Sequence, residues 1–97
     1  MIEIAEKEGR VTIRLPEEFS YQLYREFREV YLHRKQVSIY DIDFALVNRI
    51  DSSALGMLLL MYSHCKEQGT RIRLLRCNPR ITKILTCATI DSLFEIV

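Results

Sequence analysis

From Ala54 to Tyr62 every residue except Gly56 is apolar, and this run constrains the fold more than any other stretch of the chain. Asp51-Ser52-Ser53 precedes it and Gln68-Gly69-Thr70 follows it. Aspartate and serine accept hydrogen bonds from the free N–H groups of a helix's first turn, so the spacing predicts a helix that begins at or near Ser52. Gly69 suits the left-handed residue that ends a helix. The run is well short of the roughly 20 apolar residues a membrane span needs, so the helix has to bury its surface against other elements of one domain.

The flanking patterns supply those elements. Ile2-Glu3-Ile4-Ala5 and Arg10 to Leu15 alternate apolar and polar residues around Glu8-Gly9, which predicts a hairpin with Val11, Ile13 and Leu15 facing inward. Pro16 ends the second strand. Glu17 and Glu18 then suit the first turn of a helix that buries Phe19, Leu23, Phe27 and Val30, with Tyr24 and Tyr31 at its edge. Val37 to Phe44, rich in β-branched and aromatic residues, predicts a central strand. Ala45 to Ile50 reads as a loop that tucks Leu46, Val47 and Ile50 under the following helix. Arg71 to Arg76 is the next strand. Asn78-Pro79 opens a helix that buries Ile81, Ile84, Leu85 and Ala88, and Leu93 to Val97 closes as a short strand.

Strands alternating with helices imply parallel pairings with helical crossovers. The expected fold class is therefore α/β: one domain over residues 1–97, with a mixed β-sheet and helices packed mainly on one face. A chain of 97 residues with 48% hydrophobic content suffices for one core.

Charge and composition exclude several functions. With 14 basic and 13 acidic side chains spread along the chain, the formal net charge is +1. That leaves no footprint for nucleic acid or an anionic membrane surface. The odd cysteines Cys65, Cys77 and Cys87 lack the spacing of a disulfide framework or a zinc site, and they suit a reducing cytoplasm. Glu3, Glu6, Lys7 and Glu8 interrupt any leader-like run. No nucleophile elbow, phosphate loop or metalloprotease motif is present, and His33 and His64 stand alone. Asp41 and Asp43 share a strand face and read as its solvent end rather than as metal ligands. The chain is expected to be no enzyme and to need no cofactor or metal.

Asp51-Ser52-Ser53-Ala54-Leu55-Gly56 resembles the D-[ST]-S-x-L-G motif of STAS domains, the family of the anti-sigma factor antagonists. Asn78 to Leu85, with Ile90 and Leu93 to Ile96, is similar to that family's last helix and terminal strand. From about Val37 to Val97 the order and spacing fit. Leu15 to Ser20 replaces the short Gly- and Asp-containing segment that many members carry.

The resemblance implies a STAS fold and a bacterial partner-switching regulator. It implies that Ser53 is the phosphoacceptor, with Ser52 the second choice. Unphosphorylated, such a domain binds an anti-sigma factor or a related serine kinase. An ATP-dependent kinase inactivates it, and a metal-dependent serine phosphatase restores it. The family also includes constitutive interaction subunits of membrane transport complexes, and the presence of both Ser52 and Ser53 favours the switch.

The residues agree with a site at this junction. A helix N-terminus tolerates a phosphate, because its free N–H groups and dipole favour negative charge. At about 100° per residue, Leu55, Leu58, Leu59, Tyr62 and Cys65 cluster on one helix side, which reads as core. Ser53, Met57, Leu60, Met61 and His64 cluster on the other. That side is unusually apolar, so Ser53, Met57, Leu60 and Met61 are expected to form a docking patch. Asp51 reads as the cap. Gly56 permits either close approach by a partner or tight packing on the sheet.

Overall fold

A computed structural model describes residues 1–97. The hairpin forms as β1 (Glu3–Lys7) and β2 (Arg10–Arg14). They are joined by Glu8 and Gly9, both with positive φ (50° and 80°), the backbone that a tight two-residue hairpin requires. Val11, Ile13 and Leu15 are fully buried.

The central strand is β4 (Ile39–Asp43), and β6 (Arg71–Leu75) and β7 (Glu95–Ile96) follow it. The sheet order is β1-β2-β4-β6-β7, with β1 antiparallel to β2 and every other neighbour parallel. The crossovers are α1 (Tyr24–Leu32), α2 (Ser52–Gln68) and α3 (Pro79–Cys87). Leu23, Phe27 and Val30 around α1, Leu58 of α2, and Ile81 and Leu85 of α3 join the strand residues Val11, Ile13, Ile42 and Leu74 in one apolar core. The mixed sheet with its helices mainly on one face is the architecture expected from the element order.

The segment before α1 departs from expectation. Glu17 and Glu18 do not start a helix; Glu18 and Phe19 form a two-residue strand, β3, parallel to β5 (Arg49–Ile50). A 3-10 turn at Tyr21–Leu23 precedes α1. Burial decides this. Phe19 is fully buried and packs against Phe27 and Phe44, with ring centroids at 5.3 and 5.9 Å, and the extended backbone that places its ring there also ties this segment to the stretch leading into α2. Between Phe44 and β5, Val47 is buried as expected, whereas Leu46 is exposed.

Asp41 and Asp43 do not mark a solvent end; both are only 3% exposed. They lie on the sheet face that bears no helix, beneath arginines from the flanking strands. Arg73 grips Asp41 with Nε at 2.7 Å and a second nitrogen at 3.0 Å, and Arg10 stands 3.6 Å away. Arg76 makes a two-pronged contact with Asp43, and Arg14 reaches it at 3.4 Å. Ile39, between Arg10 and Arg71 in register, is buried on the same face. Parallel strands need cover on both faces, and here arginine stems provide the second cover.

Candidate functional site

The site begins where β5 feeds α2. The Asp51 N–H donates to the Phe19 carbonyl at 3.4 Å, and the Asn48 and Arg49 N–H groups donate to the Glu17 carbonyl. The loop is thus fastened to β3. Asp51 adopts extended backbone, and its Oδ1 accepts from the Ala54 N–H at 2.8 Å, which makes it the cap that the motif predicts. Its Oδ2 accepts from the Tyr21 N–H at 3.4 Å. One carboxylate therefore joins the start of α2 to the turn that opens α1. Because Asp51 does the capping, Ser52 and Ser53 are not needed for it, and both are exposed on the first turn.

The buried side of α2 consists of Ala54, Met57, Leu58, Met61 and Cys65. This corrects the expected docking patch. Met57 and Met61 are 4% and 0% exposed and belong to the core, whereas Leu60 is 54% exposed. Leu59, expected in the core, is exposed, and Leu55 is half-buried. The helix is rotated by somewhat less than one residue step, about 100°, from the orientation its apolar residues suggest.

Ser53, Gly56 and Leu60 nevertheless share a surface. With Tyr21, Tyr24, Leu59, Ser63 and the edge of Met57 they line an open groove of about 630 Å³. Tyr21, Tyr24, Leu59 and Leu60 are large apolar side chains left exposed, and a contiguous patch of this kind marks an interaction surface more often than scattered apolar residues do. No ionisable carboxylate or cation lines the groove. A β-carbon added at Gly56 would meet nothing within 4 Å. Its missing side chain therefore leaves open space on the groove floor and is not required for packing on the sheet. On the other side of Asp51, Glu18, Arg49 and Arg80 line a separate charged cleft.

Tyr21 and Tyr24 are the groove residues that sequence reasoning did not assign to the site. Both stand at three-residue spacing with Phe27 and Val30, so periodicity placed them with the apolar stripe and gave no signal that set them apart as a surface. Among groups with reactive chemistry, Cys65 faces the core, and burial pushes its thiol up to about 11, far from a nucleophile's range. Asp43 is held below the usual carboxylate range: burial alone would raise it, but the Arg76 and Arg14 hydrogen bonds and the Ala45 N–H outweigh that.

Fold and site together define a small α/β domain with an exposed serine pair at the start of a capped helix, beside an apolar groove. The family model described as "Mlab, STAS domain" matches residues 2–96, and the chain belongs to the STAS domain family. STAS-domain containing protein PA14_20770 of Pseudomonas aeruginosa is 34% identical over 90 residues, covering 89% of this chain and 86% of that protein. The unphosphorylated anti-sigma factor antagonist SpoIIAA is similar in fold, with a TM-score of 0.79 and 18% identity over 100% of this chain and 87% of that one. A sulfate transporter family protein from Wolinella succinogenes has a TM-score of 0.84 at 16% identity, over 95% and 79%. No helix is long and apolar enough to cross a membrane.

Proposed function

We propose that this domain is a partner-switching regulator that holds an anti-sigma factor or a related serine kinase in its unphosphorylated state and releases it when Ser53 is phosphorylated. The observation that carries the reading is the placement of Ser53: an exposed hydroxyl, free of capping duty, on the rim of an uncharged apolar groove. A phosphoryl group there adds about −1.5 to −2 charges to a surface that has none. The fold tolerates this change, because the first turn of α2 favours an anion. A partner surface that buries Tyr21, Tyr24 and Leu60 does not tolerate it, because the phosphate has to be desolvated for docking.

In this reading Ser52 is the second-choice acceptor, Asp51 holds the loop in shape, and Gly56 admits a partner side chain to the groove floor. Met57 and Met61 support the groove from below. The domain works in the cytoplasm without cofactor or catalysis of its own, and a kinase and a serine phosphatase act upon it. SpoIIAA, known in both unphosphorylated and phosphorylated forms, supports the reading by likeness of fold. The second reading, a constitutive subunit of a membrane transport complex, is favoured by the comparable likeness to the sulfate transporter family protein.

The test is peptide mass spectrometry of the protein recovered from its native cells, with Ser53→Ala in parallel, followed by partner capture with wild type and Ser53→Asp. The switch requires phosphate on Ser53 and loss of the partner from Ser53→Asp. Partners that stay bound to Ser53→Asp, with no phosphate under any growth condition, would establish the constitutive subunit instead.

A further inference from the structure

β1 is the outer strand of the sheet, and all five of its residues, Glu3 to Lys7, are exposed. The other edge, β7, offers only two residues. Hairpin register fixes which backbone groups of β1 remain free. Lys7 pairs with Arg10 across the two-residue turn, Ala5 with Thr12, and Glu3 with Arg14. The pair closing such a turn exchanges hydrogen bonds and alternate pairs do not. Glu3, Ala5 and Lys7 therefore direct their N–H and C=O groups to β2, and Ile4 and Glu6 direct theirs outward. Ile2, next in that alternation, has its N–H taken by the Glu26 carboxylate at 2.9 Å.

The side chains along this edge are self-complementary. Placed antiparallel to itself about Ala5, β1 sets Ile4 opposite the partner's Glu6, so that the outward backbone groups of both strands meet. The same register sets Glu3 opposite the partner's Lys7, twice over, with two small Ala5 side chains at the centre. Neither Glu3 nor Lys7 is in an ion pair within the chain. Across the helix-free face, Asp43, Arg14 and Glu3 stand in register as a row of alternating sign, and the partner's Lys7 extends it.

Neighbouring registers are worse. Centring on Glu6 opposes like charges, and centring on Ile4 calls on the Ile2 N–H that Glu26 already occupies. On the helix side, Ile4 is 44% exposed and lines a hollow of about 520 Å³ with Glu26, Val30 and Arg34, while Arg34 steadies Glu6 at 3.4 Å.

The geometry points to a second copy of this chain as the occupant of the β1 edge, forming a two-fold dimer with one continuous sheet and both helix layers on the same side. Unpaired edges invite such strand addition. The contact is small, so association is weak and concentration-dependent.

The test is sedimentation velocity on the full chain over a concentration series extending to the millimolar range, with four proteins compared. Wild type should shift towards the dimer with rising concentration. Ile4→Pro, which removes an outward N–H while leaving the β2 ladder intact, should remain monomeric. Glu3→Lys, which opposes lysine to lysine, should weaken association at least tenfold. Glu3→Lys combined with Lys7→Glu should restore it, and this restoration does not depend on Ile4→Pro folding. A wild type that stays monomeric throughout, or a dimer that Glu3→Lys leaves undiminished, overturns the proposal. So does failure of the double exchange to restore association lost in Glu3→Lys. None of these outcomes depends on Ser53 or its phosphorylation.

Discussion

Leu60 and Met61 are adjacent in sequence and occupy opposite environments, so truncating each in turn tests the orientation of α2 and hence the groove. Met61 has no exposed surface. Replacing it with alanine leaves a cavity in the core, at a cost of about 2–5 kcal/mol, a large fraction of the roughly 5–15 kcal/mol that stabilises a domain. Leu60 is 54% exposed. Full burial of a leucine is worth about 1.5–3 kcal/mol, and with half its surface already in water, Leu60→Ala should cost about 1 kcal/mol or less. For a chain of this size each kcal/mol shifts Tm by about 4–8 °C. Met61→Ala should therefore lower Tm by roughly 8–40 °C, and Leu60→Ala by no more than about 8 °C. Thermal and urea unfolding followed by circular dichroism measure both. Partner capture supplies the reciprocal half: Leu60→Asp should abolish binding while the domain stays folded. Equal destabilisation by the two alanines would refute the assigned rotation of α2, and the groove would go with it.

Gly56→Ala should separate folding from binding. Its added methyl meets open space and its helical backbone suits alanine, so the isolated domain should gain about 0.5–1 kcal/mol in urea titration while partner affinity falls because the groove floor is filled. Acid stability should reflect Asp43, whose carboxyl is held below its ordinary range in the folded state. Its contribution is fully present above the unfolded pKa of about 3.9, and it is lost as pH falls through the lower folded value. Asp43→Asn should therefore be less stable at pH 7, by about 1–3 kcal/mol for the lost charge-assisted hydrogen bonds, and should show a shallower decline in stability than wild type as pH falls from 5 to 2. An unchanged acid slope in that variant would remove Asp43 from the account.

What was legible in the sequence follows from contrast. The hairpin, the central strand, the Asp51 and Asn78 caps and the Gly69 terminator each pair a distinctive residue type with a local rule, and all are found where expected. The rotation of α2 was not legible, because a helix apolar on nearly every side gives periodicity no polar face to read. Packing against the sheet decided it: the small Ala54 and the pliant Met57 and Met61 fit beneath the helix where the branched Leu59 and Leu60 were left outside. Phe19 was misplaced for a related reason. Its neighbours Glu17 and Glu18 suit a helix start, but the stacking of its ring on Phe27 and Phe44 is a long-range gain that no local rule contains. The burial of Asp41 and Asp43 was not legible because their partners, Arg73 in β6 and Arg76 just past its end, lie more than thirty positions away.

These departures converge on the groove. Had Phe19 continued into a helix, the Asp51 carboxylate would have no Tyr21 N–H to meet, and α1 would not bring Tyr21 and Tyr24 alongside α2. Had Met57 and Met61 faced outward, Ser53 would stand beside flexible thioethers rather than a wall of tyrosine and leucine. The extended segment at Phe19 and the rotation of α2 together create an apolar surface with a serine at its rim and an empty floor at Gly56. A phosphate at that rim would leave the core largely untouched, because Met57, 4% exposed, is the one core residue that reaches the groove. The buried side of α2 and the groove side are thus largely distinct, and under the proposed switch that separation would let a modified hydroxyl alter binding without unfolding the domain.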